Sequence, residues 1–256
     1  MPYDSYGYYI AQRRLIIKSI EELHFEEILE IQVKSDEYSL IINEEIHYSF
    51  MAKLGVWGGV HIDESSFKKY INLKKNSNYT FASFFKEIQN KCSMSDDTLS
   101  KYIEEGNQTI YSDIKISDNL EYFEMKDLIN LEYHKVDQLL SGHPKLIMNK
   151  GRIGWGTQEI DQYAPESLPS FNLHWVAAHK DIVEQGFCES TSNHKLVKET
   201  LPSHLIDHID WEKFVVFAIH PWQWNKYIKV QYLEFIMQGK LLDLGEIGHD
   251  YTPQVS

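Results

Sequence analysis

Cysteine is scarce in this chain: two in 256 residues, Cys92 and Cys188. They are too few and too far apart for a disulfide framework or a thiolate metal site, and both are read as reduced structural thiols. Long apolar runs are missing as well. No stretch of about 18 apolar residues could form a membrane span. The opening Met1-Pro2-Tyr3-Asp4 lacks a basic segment followed by an apolar one, so no secretory signal is expected and the cytoplasm is the expected location. Positive charge is in deficit, with 25 Lys and Arg against 38 Asp and Glu and a formal net charge of -13. That balance disfavours nucleic acid and anionic membrane as partners.

Several catalytic signatures are absent too. There is no G-x-x-x-x-G-K-[ST] phosphate loop, no dinucleotide-binding glycine spacing and no G-x-S-x-G elbow. His204 and His208 are four apart, but Leu205 stands where a zinc protease needs Glu, and no metal site is expected.

What remains is a globular composition, 43% hydrophobic and 25% charged, long enough for one large domain or two small ones. The apolar spacing predicts a helix over 9–34. A hairpin follows, 38–42 with 46–50, then a strand near 56–62 and a short helix over 65–70. Helices are predicted over 81–91, 97–105 and 120–140, the last stopping at Ser141-Gly142. Beyond it come one or two helical turns at 157–162, strands over 171–177 and 214–219, a helix over 223–237 and a strand at 241–244. The near-continuous apolar run of 214–219 reads as a buried central strand. There is no internal repeat. A soft boundary divides a helical and hairpin region, 1–118, from the region 119–256 that holds the chemistry.

The informative stretch is 142–155, Gly-His-Pro-Lys-Leu-Ile-Met-Asn-Lys-Gly-Arg-Ile-Gly-Trp. It gathers His143, Lys145, Lys150 and Arg152 in an otherwise acidic protein. A basic loop is ordinarily a solvated surface. Interleaved glycines change that balance, since Gly151 and Gly154 let backbone N–H groups approach an anion while Lys and Arg neutralise it. Phosphate and carboxylate are the natural ligands. A second segment, His220-Pro221-Trp222-Gln223-Trp224, follows a predicted strand, where His220 or Gln223 could face a crevice. The alternative is aromatic packing by the two tryptophans.

Taken in order, Gly142-His143-Pro144, Lys150-Gly151-Arg152-Ile153-Gly154-Trp155, Tyr163-Ala164-Pro165-Glu166, Leu173-His174-Trp175-Val176-Ala177 and His220-Pro221-Trp222-Gln223-Trp224 resemble the aerobactin-synthetase (IucA/IucC) family of siderophore synthetases, which act independently of nonribosomal peptide synthetases. The resemblance implies an α+β fold. A thumb-like helical and small-sheet region would precede a fingers-like mixed α/β region of a hand-shaped enzyme. It implies adenylation of a carboxylate, of citrate or a succinyl-hydroxamate, with ATP and Mg2+, and capture of the acyl group by an amine or hydroxyl for iron acquisition. Residue by residue it places Lys150 and Arg152 on phosphates or the acyl carboxylate and His143 by the reacting group. Gly151, Gly154, His220 and Gln223 would line the nucleotide site. Ser256 would open a Ser-x-Arg-Thr phosphate motif. Family members are much longer, so the resemblance also implies an N-terminal portion lacking the palm. That portion would be inactive alone or serve as a binding or folding module, and its parent could be a homodimer.

Overall fold

In the computed structural model the residues described are 6–34, 37–120, 126–187 and 191–251. The chain divides into two compact units, Met1–Ile160 and Asp161–Ser256. The boundary expected at 118–119 falls inside the first unit, in the last turn of a long helix.

The first unit opens with α1 (Tyr6–Phe25), which buries Leu15, Ile16, Ile20 and Leu23. The predicted helix over 9–34 ends here instead. Glu27 takes a positive φ of 59°, and the chain re-enters as β1 (Ile31–Lys34). The β-branched residues Ile31 and Val33 alternate and pair with β2 (Glu37–Ile41) more readily than they extend a helix. The hairpin forms as expected: β2 pairs antiparallel with β3 (Ile46–Phe50). Asn43 Oδ1 accepts the backbone N–H groups of Glu45 (3.0 Å) and Ile46 (2.8 Å) and shapes its turn.

β4 (Ala52–Leu54) and β5 (Val60–Ile62) form a separate two-stranded ribbon. The next strand of the main sheet is β6 (Lys68–Ile71), in the place predicted to be a short helix. β6 is followed by β7 (Lys74–Asn76), and the sheet order is β1-β2-β3-β6-β7. The charged pair Lys68-Lys69 hid the strand's alternation.

α2 (Phe81–Ile88) starts at Thr80, which exchanges capping hydrogen bonds with Ser83. α3 (Asp96–Leu120) runs on past Glu105 through Gly106. At Gly106 an added Cβ would lie 2.1 Å from Phe81 Cε1, so glycine sets how closely α3 approaches α2. Tyr48, Phe50, Phe81, Phe84, Phe85 and Ile88 complete the core under α1.

The helix predicted over 120–140 does not form as one piece in its described part. A 3-10 turn at Leu128–Asn130 and the short α4 (Tyr133–Asp137) take its place. Of the apolar residues described there, Leu139 is buried, Leu128, Leu131 and Val136 are half-buried and Leu140 is exposed, so they make no continuous buried stripe.

The loop of interest follows, then α5 (Thr157–Tyr163), whose last residues cross into the second unit. That unit is built on a three-stranded antiparallel sheet of order β10-β8-β9. It comprises β8 (Phe171–His179), β9 (Phe214–Ile219) and β10 (Leu241–Tyr251), with the short helices α6 (Asn193–Lys198) and α7 (Ser203–Ile206) between β8 and β9. The central strand is therefore β8, not β9. β8 buries Trp175 and Ala177 in one core with Val197, Leu201, Ile206 and Val216. It buries Val176 and Ala178 in another with Ile219, Trp224 and Leu241. β9 pairs with β8 alone among the described strands and leaves Phe217 and Ala218 exposed. The predicted helix over 223–237 is broken into a turn at Pro221–Gln223, a π-helical turn at Trp224–Ile228 and two short pieces on either side of Tyr232.

Candidate functional site

The 142–155 loop is held from within, by Asn149 and its buried Ile147 and Met148, and from outside by residues of α1 and α3. Gly142 has φ +84°, and an added Cβ would crowd the Asn149 side chain at 3.2 Å. Asn149 Nδ2 donates to the Ser141 carbonyl and, at 3.5 Å, to that of His143, curling the start of the loop around itself. Ile147 and Met148 are buried in the first unit's core. From α1, Lys18 Nζ donates to the carbonyls of Leu146 (2.8 Å) and His143 (3.3 Å). Burial pulls the Lys18 pKa below its ordinary value, while the nearby Asp113 and Glu22 carboxylates oppose that shift. Lys145 reaches the same helix: its Nζ lies 3.2 Å from Glu22 and 4.2 Å from the centroid of the Phe25 ring.

The basic turn itself packs along α3. Gln108 is buried and clamps it twice, accepting the Arg152 backbone N–H through Oε1 and donating through Nε2 to the Trp155 carbonyl, both at 2.6 Å. Arg152 Nη1 approaches the Lys150 carbonyl (3.4 Å) and Ser112 Oγ (3.5 Å), and its guanidinium lies 5.4 Å from the Trp155 ring. Lys150 is only 4% exposed. Gly151 faces Glu105, whose side chain would lie 3.0 Å from an added Cβ. Gly154 holds φ +80°, a conformation that favours glycine.

Lys150, Gly151, Arg152 and Gly154 therefore share one turn, while His143 sits at the exposed start of the loop. A cavity of about 360 Å3 opens beside that start, between α1, α3 and the loop. Its walls are apolar at Ala11, Leu15, Ile116 and Pro144 and charged at Arg14, Lys18 and Asp113.

His220 and Gln223 belong to the second unit. His220 follows β9 and caps the next turn, its Nδ1 accepting the Trp222 backbone N–H at 3.2 Å. Its ring meets Tyr163 (4.8 Å) and Phe171 (5.2 Å) edge to face, and burial lowers its pKa. His220 and Gln223 line an apolar cavity of about 400 Å3 with Ile182, Phe217, Tyr232 and Phe235.

His174, quoted in the sequence only as part of a motif, is buried in this unit. It stacks on Trp224 at 4.4 Å, and its Nε2 lies 2.8 Å from Asp243 Oδ1. A register shift between Asp243 and Gly245 in β10 re-aims Asp243 towards it. His174 Nδ1 is buried with no hydrogen-bond partner. The alternating pattern of β8 signals burial there but not this pairing.

Ser256 and Cys188 lie outside the described residues. Cys92 carries a free thiol whose pKa is raised by burial. His204 and His208 are both exposed. Among the described residues no group of three or more His, Cys, Asp or Glu side chains converges to hold a metal ion, and no helix is long and apolar enough to cross a membrane.

Comparison with known proteins places these features in context. Residues 132–256 match the model of the IucA / IucC family. The chain is 26% identical over 255 residues to an aerobactin synthase of Escherichia coli, covering 96% of this chain and 43% of that protein. It is 25% identical over 275 residues to a citryl-spermidine/3,4-dihydroxybenzoyl-citryl-spermidine:spermidine ligase of Bacillus anthracis, covering 99% of this chain and 44% of that one. Among solved structures it superposes on aerobactin synthetase IucC from Klebsiella pneumoniae with a TM-score of 0.86 at 24% identity, over 97% of this chain and 46% of the other. ATP-bound aerobactin synthetase IucA from the same organism gives a TM-score of 0.71 at 17% identity, over 96% of this chain and 45% of the other. The chain thus spans less than half the length of the relatives it matches.

Proposed function

We propose that this chain, whose residues 132–256 match the model of the IucA / IucC family, is part of an ATP-dependent ligase of siderophore biosynthesis. It acts in the cytoplasm on small molecules, with no nucleic acid or membrane partner. The reaction joins a carboxylate of citrate or a succinyl-hydroxamate to an amine or hydroxyl. One relative is a citryl-spermidine ligase and one fold neighbour was solved with ATP bound, which supports both the substrate class and the nucleotide.

The observation that carries the reading is the glycine-bearing basic turn braced against α3 by Gln108. Its donor chemistry fits an anionic, phosphate-bearing group. Arg152 is steadied by Trp155 and the Lys150 carbonyl, and is the residue to neutralise a phosphate or the acyl carboxylate. Lys150 adds positive charge from within the turn. Gly154 takes the positive φ that the turn requires, a conformation other residues rarely adopt. His143 is the proposed partner of the reacting group, and His220 and Gln223, in the second unit, are proposed nucleotide contacts. ATP supplies the leaving group, since adenylation of the acid expels pyrophosphate. Mg2+ would enter with the nucleotide's phosphates. The charge that develops on those oxygens is what fixed cations and N–H donors stabilise.

The test is pyrophosphate release by the whole ligase that carries this chain, with ATP and Mg2+, across a panel of citrate and succinyl-hydroxamates each paired with an amine. Acid-dependent release that falls at least tenfold in Arg152→Ala supports the reading. Nucleotide binding without release favours the alternative, a binding module that does not turn over. Neither binding nor release would overturn both.

A further inference from the structure

The chain contains two His-Pro dipeptides, at 143–144 and 220–221, and both close their turns in the same way. The Lys145 backbone N–H donates to His143 Nδ1 at 3.2 Å, and the Trp222 backbone N–H donates to His220 Nδ1 at 3.2 Å. A backbone amide can only donate, so Nδ1 is a bare acceptor in both rings. In a neutral imidazole the single proton then sits on Nε2. The intervening proline has no N–H to compete and a fixed φ. His24 shows the opposite arrangement: its Nδ1 lies 3.0 Å from the Leu29 carbonyl, which can only accept, so its proton is on Nδ1.

The His143 turn is also held from outside. Lys18 donates to the carbonyl of His143 itself and to that of Leu146. The Lys145 side chain, whose backbone closes the turn, is fixed on α1 by Glu22 and Phe25. Both ends of the turn are therefore referred to one rigid helix.

We propose that His143 acts on an anionic group of the substrates as a neutral Nε2–H donor, not as a cation or a proton acceptor, and that Lys18 is the positioning residue that maintains this form. The proposal rests on the reading of the 142–155 loop as an anion site and specifies how one of its residues works. As a base the ring would have to take a proton at Nδ1, where the Lys145 amide already donates, so protonation would break the turn's own hydrogen bond. An N–H held towards an oxygen that gains negative charge stabilises it with no proton transferred. Phosphate and carboxylate oxygens are the acceptors this donor suits.

The experiment is long-range proton–nitrogen correlation NMR of the 15N-histidine-labelled chain, at a pH above the ordinary imidazole pKa of about 6.5. Signals are assigned by single His→Gln variants. His143 and His220 are expected in the Nε2–H form and His24 in the Nδ1–H form, an internal control. In Lys18→Met, His143 should move to a mixture of tautomers while His24 and His220 keep theirs, which also shows that the variant is folded. Lys18→Arg should restore the parent pattern. Added inorganic pyrophosphate should shift the His143 Nε2 resonance and leave His24 in place.

An Nδ1–H form of His143 in the parent, or no change in Lys18→Met, overturns the proposal. So does a His143 signal indifferent to pyrophosphate in a chain whose control signals are intact. Pyrophosphate release is measured separately. A chain that shows the expected tautomer and anion response but never adenylates an acid sinks the ligase reading alone, and an active chain with the wrong tautomer sinks this inference alone.

Discussion

Gln108 Oε1 accepts the backbone N–H of Arg152 at 2.6 Å, and the same side chain donates to the carbonyl of Trp155 at the same distance. One buried amide thus spans the whole basic turn. Gln108→Ala leaves two backbone groups without their partner in a place water reaches poorly. The expected cost is about 2–3 kcal/mol, since an unsatisfied buried donor or acceptor carries its desolvation penalty. Urea denaturation should show a lower midpoint with an unchanged slope. An unchanged midpoint would mean that water replaces the side chain.

A second prediction concerns Gly106. In a helix interior, Gly→Ala ordinarily stabilises by up to about 1 kcal/mol. Here the new methyl would meet the Phe81 ring at 2.1 Å, so Gly106→Ala should destabilise by about 1–3 kcal/mol, the usual range for overpacking. In a Phe81→Leu background the same substitution should cost measurably less. Equal penalties in both backgrounds would place the strain elsewhere.

Lys69 and Glu87 form a buried ion pair in the first core, and the Tyr48 hydroxyl donates to Glu87 at 2.8 Å. Removing one partner strands a charge. Glu87→Leu should cost about 3–5 kcal/mol, whereas the double change Lys69→Met, Glu87→Leu should recover most of that loss, because replacing both partners by apolar groups is often close to neutral. Thermal denaturation of the two variants against the parent gives the comparison. A double variant no better than the single one would refute it.

His220 gives the pH prediction. Burial holds its folded-state pKa below the unfolded value of about 6.5, so the folded chain binds this proton more weakly than the unfolded chain does. The corresponding stability is fully present above the unfolded pKa and is lost as pH falls through the folded one. Stability measured from pH 8 down to pH 5 should decline, and His220→Gln should flatten the decline. A steeper slope in the variant would reverse the sign of the argument.

Local patterns were readable where local forces decide. The β2–β3 hairpin was legible because alternating apolar residues flank an asparagine turn, and α2 because Phe81, Phe84, Phe85 and Ile88 recur at helical spacing. The states of residues 31–34, 68–71 and 126–140 depend on partners elsewhere: β1 needs β2, β6 needs β3, and in 126–140 burial is confined to Gln138 and Leu139 among the described side chains, too little to hold one long helix. The loop's composition drew attention to 142–155, but nothing nearby shows that Lys18 holds it from 128 residues away or that Gln108 reaches it from 44. Likewise, His174 reads as one more position on a strand until a shift in β10 brings Asp243 to it. Chemistry-bearing residue types can be seen in one dimension, whereas the groups that hold them still belong to other elements.

β8 has hydrogen-bonded neighbours on both sides, whereas β9 has a described neighbour on one side only. On its outer side β9 is met by single groups and not by a strand: the Val216 N–H donates to Asn193 Oδ1 and the Phe214 N–H to the Asp210 carbonyl, both at 2.9 Å, beside the exposed ring of Phe217. In deuterated solvent the second unit should label from that rim inward, with β8 the last to take up deuterium. Anything that seats a further strand along the rim would register as newly slowed exchange in β9, a signal requiring no knowledge of the reaction.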